Sequence, residues 1–135
     1  MKSLRKNIFL NEVLQAEFEL NGYVCLPILS PEEVALLCDS YENSGIETPE
    51  GFYSSSFNKD EAIKEKLESS IQQLVSKKTK DVFTGHKNLG ACYLSKAPGK
   101  KGEMPLHQDW TVVDEALFDS ITIWIPLQDV SPENG

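Results

Sequence analysis

The sequence is short of cations over long stretches. Its one arginine is Arg5, no Lys or Arg occurs between residues 7 and 58, and none follows Lys101. A forked guanidinium clamp beyond the N-terminus is therefore excluded. With 13 Lys+Arg against 21 Asp+Glu, the net charge is −8. Nucleic acid and anionic lipid both call for a basic face that displaces counterions or meets headgroups, so neither is expected as a partner. Cysteines are few, and Cys25, Cys38 and Cys92 show no C-x-x-C spacing. They read as reduced thiols of a cytoplasmic protein rather than a disulfide framework. The apolar run Ile8-Phe9-Leu10 is too short for a signal peptide, and no stretch approaches a membrane span. Repeats and low-complexity linkers are also lacking.

What is present fits one ordinary globular domain, with 135 residues, 40% of them hydrophobic and 25% charged. A chain of this length buries roughly two thirds of its unfolded surface, enough for a core. Charge is unevenly spread: residues 7 to 58 carry −9, residues 59 to 101 carry +5 and residues 102 to 135 carry −7. Leu14 and Phe18, four apart, predict a helix over Asn11 to Asn21 that Gly22 ends. Ser30-Pro31-Glu32-Glu33 spells a capping box with proline at the first helical position, and Val34, Leu37, Cys38 and Tyr41 follow at helical spacing. A third helix is predicted from Lys59 to Ser76 on the stripe Ile63, Leu67, Ile71, Leu74 and Val75. Tyr23 to Leu26, Leu89 to Ser95 and Ser120 to Leu127 read as strands, Ile46 to Asn58 as a loop, and Ala97 to Glu103 as a basic turn. A helical part (1–80) followed by a strand-rich part (81–135) indicates an α+β fold with helices packed outside a sheet.

Metal-ligand candidates are limited to His86, His107 and the carboxylates. In His107-Gln108-Asp109 the outer residues lie two apart, and on an extended segment they project to the same side, so imidazole and carboxylate can meet one ion. They make two-thirds of the 2-His-1-carboxylate set that holds non-haem Fe(II) with open positions. The same pair also suits Zn(II), and H-x-D alone arises by chance in many surface loops. His86, between Gly85 and Lys87, reads as an exposed loop residue.

Three blocks carry a more specific signal: Pro105-Leu106-His107-Gln108-Asp109-Trp110, then Trp124-Ile125-Pro126-Leu127-Gln128-Asp129-Val130, then Pro132-Glu133-Asn134-Gly135. With the opening Phe18, Gly22-Tyr23-Val24 and Leu29 to Glu33, the sequence resembles the phytanoyl-CoA dioxygenase family of Fe(II)/2-oxoglutarate-dependent oxygenases. The resemblance implies a double-stranded β-helix (jelly-roll, cupin-like) core and a reaction that releases succinate and CO2 while hydroxylating a small organic substrate or acyl thioester with O2. His107 and Asp109 match the first two iron ligands. Cys92, Leu94 and Trp124 match positions that line the 2-oxoglutarate pocket, although plain core packing accounts for Trp124 equally well. Met104 and Trp110 flank the ligand pair, where they could touch substrate. A carboxylate at Asp109, where related halogenases carry a small residue, favours hydroxylation.

Family members carry a third ligand, a histidine after the Asn-Gly, and beyond it a basic residue for the distal carboxylate of 2-oxoglutarate. The sequence stops at Gly135, before both. It is expected to be the N-terminal part of such a domain, truncated before the barrel is complete and inactive in isolation. The competing reading is a non-catalytic jelly-roll binding module with a vestigial metal site. The basic stretch Lys96 to Lys101 suits an anionic substrate, though a solvated lysine loop is the simpler account. Nothing in the sequence fixes the substrate or an oligomeric state.

Overall fold

The computed structural model describes residues 7–47 and 50–133; Arg5 and the Asn134-Gly135 end of the third motif fall outside them. The elements run α1 (Glu12–Asn21), α2 (Pro31–Glu42), β1 (Phe52–Ser54), a 3-10 turn (Ser55–Phe57), α3 (Glu61–Thr79), β2 (Leu94–Lys96) and a second 3-10 turn (Lys100–Gly102). Three helices and, among the described residues, one two-stranded sheet make an α+β architecture.

Each helix starts where a side chain can satisfy the first free N–H groups. Asn11 Oδ1 accepts from Val13 and Leu14, and Asp60 Oδ1 accepts from Ala62 and Ile63. Gly22 closes α1 in the left-handed conformation at φ 79°, which a residue with a Cβ adopts only at a cost. The capping box of α2 forms as expected: Glu33 N–H donates to Ser30 Oγ at 3.3 Å, and Ser30 N–H donates to Glu33 Oε2 at 2.8 Å. Ser30→Ala should therefore lower stability by about 1 kcal/mol, read as a lower urea midpoint at unchanged m-value.

Glu33 also joins two helices, because its Oε1 lies 2.8 Å from Lys78 Nζ on α3. That lysine bond, and next the Ser30 N–H, hold the Glu33 carboxyl below its ordinary range. A carboxyl lowered by folding contributes stability above its unfolded pKa and loses it as pH falls through the folded one. Acid titration of stability below the ordinary value of 4.5 should thus flatten in Lys78→Gln.

The core is thin. Leu37 from α2, Leu67 from α3 and Tyr93, just before β2, form its buried centre, with Leu29, Tyr41, Ile63, Ile71 and Leu127 packed round it. Tyr93 is held at three points: its hydroxyl lies 3.0 Å from Ser70 Oγ, its N–H donates to Ser55 Oγ, and its carbonyl accepts from the Ser55 N–H, the last two at 2.9 Å. These bonds continue the antiparallel pairing of β1 and β2, in which Phe52 faces Lys96 and Ser54 faces Leu94. Beyond β2 the chain doubles back so closely that a Cβ on Gly102 would sit 1.9 Å from the Ala97 carbonyl oxygen, which only glycine permits. A second cluster, Phe9 stacked at tilted angles on Phe18 and Phe83 with ring centroids 5.4 and 5.2 Å apart, closes the chain start onto the end of α3.

Several predicted boundaries move. The 46–58 region holds β1 and a 3-10 turn instead of being all loop. The predicted strand Leu89 to Ser95 is ordered as strand only over Leu94–Lys96, where β1 supplies a partner. Tyr23 to Leu26 and Ser120 to Leu127 form no strand, because neither acquires a ladder neighbour among the described residues.

Candidate functional site

The H-x-D loop lies beyond β2 on a segment without regular structure. The two outer side chains nevertheless converge, with His107 Nε2 3.4 Å from Asp109 Oδ1. Each is also tied on its far side. His107 Nδ1 lies 2.9 Å from the Pro105 carbonyl oxygen, and a carbonyl can only accept, so Nδ1 carries the proton. In the neutral ring this leaves the Nε2 lone pair facing Asp109. Asp109 Oδ2 accepts from Thr122 Oγ1 at 3.3 Å, which directs Oδ1 toward the imidazole.

This donor set fits a divalent ion. One imidazole nitrogen and one carboxylate oxygen stand side by side, and the outward nitrogen of His107 donates to a carbonyl, an arrangement that fixes tautomer and ring orientation in metal sites. Both side chains are open to solvent, at 50% and 64% exposure, so an ion could reach them. Among the described residues no three His, Cys, Asp or Glu side chains gather at one point, and the pair supplies two ligands only. His86 does not complete it: Nδ1 lies 3.3 Å from the Thr84 carbonyl oxygen and Nε2 lies 3.1 Å from Thr79 Oγ1, so both ring nitrogens are engaged elsewhere.

The other residues singled out from the sequence lie apart in kind. Cys92 and Leu94 are exposed, and they flank buried Tyr93 at and just before the start of β2, so by alternation they project away from the helices. Met104 is half-buried, whereas Trp110 is almost wholly exposed. Trp124, also exposed, lines a groove of about 460 Å³ with Leu29, Pro31, Val34, Pro126 and Val130, beside the start of α2. The Leu127 carbonyl accepts from Cys38 Sγ at 3.6 Å, and the Leu127 side chain joins the core, which anchors this segment to the helices.

Sequence reasoning missed Thr122. Its signal is the alternation of 121–125, in which Ile121, Ile123 and Ile125 share one phase and Thr122 and Trp124 the other. A second groove of about 510 Å³, lined by Ser76, Lys80, Phe83, Gly85, His86 and Asn88, contains neither His107 nor Asp109. Its lysine sits just past the carbonyl end of α3, where cations stabilise the helix itself.

Among the described residues no helix is long and apolar enough to cross a membrane. No curated protein and no solved structure matches the chain. The family model described as phytanoyl-CoA dioxygenase (PhyH) matches residues 18–135, a span that includes all three motif blocks. That family consists generally of oxygenases, typically dependent on Fe(II) and 2-oxoglutarate and acting with O2 on small molecules. The chain, matched over all but its first residues, belongs to the phytanoyl-CoA dioxygenase family.

Proposed function

We propose that this chain carries the first two iron ligands of an Fe(II)/2-oxoglutarate-dependent dioxygenase that hydroxylates a small organic substrate or acyl thioester. The observation that carries the reading is the side-by-side presentation of His107 Nε2 and Asp109 Oδ1, 3.4 Å apart with their far atoms tied back. When bound, Fe(II) with 2-oxoglutarate and O2 supplies the oxidation, in which 2-oxoglutarate leaves as succinate and CO2 and one oxygen atom enters the substrate as a hydroxyl.

The chain's own residues bind and orient. With its Nδ1–H donated to the Pro105 carbonyl, His107 has Nε2 as the nitrogen to offer. Asp109 offers one oxygen and balances part of the ion's charge. His86 is engaged with Thr84 and Thr79, and among the described residues no third His, Cys, Asp or Glu joins the pair, so these residues offer two of the ligands that an Fe(II) site uses. Cys92, Leu94 and Trp124 line the co-substrate side, and Met104 and Trp110 stand at the substrate mouth. The open strand face bearing Cys92 and Leu94 supports a double-stranded β-helix in which further strands cover it.

The test is turnover by the full-length protein. Fe(II)-dependent succinate release that stops on chelation is expected. Turnover that persists with a chelator, or a protein that takes up no divalent ion, overturns the reading.

A further inference from the structure

Asp109 is poorly held by its surroundings. Its side chain is 64% exposed, so packing does not fix it. A carboxylate's terminal torsion is also broad and roughly two-fold, so a free aspartate interchanges its oxygens readily. Here the two oxygens have different tasks, since Oδ1 faces His107 Nε2 and Oδ2 accepts from Thr122 Oγ1.

We propose that Thr122 is a positioning residue for Asp109, its hydroxyl fixing the carboxylate rotation so that Oδ1 is presented beside His107 Nε2. The inference rests on the reading of Asp109 as a metal ligand. Three features support it. A threonine hydroxyl is set in direction by its branched Cβ, which restricts χ1. The bond spans 13 residues of sequence and so ties the H-x-D loop to the segment that Leu127 anchors in the core. The bond from Pro105 comes from the loop itself, whereas Thr122, among the described residues, ties Asp109 to a segment outside it. Partners of this outer kind typically govern metal affinity by roughly 10–100-fold.

Mn(II) titration of the full-length protein, followed by the loss of the free-ion paramagnetic resonance signal, tests this without relying on turnover. Thr122→Val keeps the shape and removes the donor, and it should weaken Mn(II) binding by about 10–100-fold. Thr122→Ser keeps a donor but not the branched Cβ and should recover part of the loss, which a purely structural role of the methyl would not allow. Thr122 is exposed and outside any ladder, so both variants should retain the wild-type far-ultraviolet spectrum. Asp109→Ala separates the failures. If it binds Mn(II) as tightly as wild type, Asp109 is not a ligand and the functional reading falls. If it loses the ion while Thr122→Val binds normally, or if the serine variant is no better than the valine, the positioning role alone is overturned.

Discussion

His107→Ala is expected to weaken divalent-metal binding by more than about 100-fold, beyond the roughly 10–100-fold that loss of an outer partner costs, and to abolish succinate release. The reason lies in the ligand count. His107 and Asp109 are the two donors that converge among the described residues, so removal of the imidazole takes away half of what they offer an ion and leaves the exposed Asp109 carboxylate. The fold should survive, because the side chain is half-exposed and its ties are the Pro105 carbonyl and Asp109. Thermal unfolding should therefore stay within the ±0.5 kcal/mol or so typical of surface changes, while metal titration and succinate release collapse. An alanine variant that binds Fe(II) and turns over 2-oxoglutarate like wild type would remove His107 from the site.

The largest stability effect belongs to Leu67. Its side chain is 0% exposed and sits between Leu37 and Tyr93, each from a different part of the chain. Leu67→Ala should cost about 2–5 kcal/mol, the transfer of the lost carbons plus the cavity they leave. The upper part of that range is expected because the walls cannot close in. Tyr93 is pinned through its hydroxyl, N–H and carbonyl, and Tyr41 stacks on it with ring centroids 5.3 Å apart. Against a typical total of roughly 5–15 kcal/mol, that loss is severe for so small a core. Urea unfolding measures it, and Leu36→Ala, exposed on the same helix as Leu37, is the control expected within about 0.5 kcal/mol. Equal shifts in the two variants would show that the core lies elsewhere.

The parts of the fold that were legible in the sequence are those whose information is local. The capping box of α2 needs four adjacent residues, and all of its bonds form. The end of α1 needs one glycine, and Gly22 takes the left-handed conformation there. The boundaries of α3 shift from Lys59 to Ser76 to Glu61–Thr79, because Asp60 caps the start and buried Thr79 extends the packed face by about one turn.

The sheet was not legible, since a strand is defined by its partner. Residues 46–58 look like a loop in Gly, Ser and Pro content, yet Phe52–Ser54 pairs with Leu94–Lys96, far along the chain. Conversely, the β-branched alternation of 120–127 specifies an extended chain but cannot supply a neighbour for it. The proximity of His107 and Asp109 was legible because residues i and i+2 on an extended segment project to the same side. Thr122, thirteen residues from Asp109, comes into view only through tertiary placement.

The same alternating segment has a consequence for the life of the chain in concentrated solution. Ile121-Thr122-Ile123-Trp124-Ile125 carries no charge and no proline, is rich in β-branched and aromatic residues, and pairs in no ladder among the described residues. Such a window is a template for pairing with its own copies and for seeding cross-β aggregates. Asp119 lies just before it, and Pro126, which has no N–H to offer a neighbouring strand, follows directly. Placed as gatekeepers at the two ends, they limit how far such a pairing can propagate.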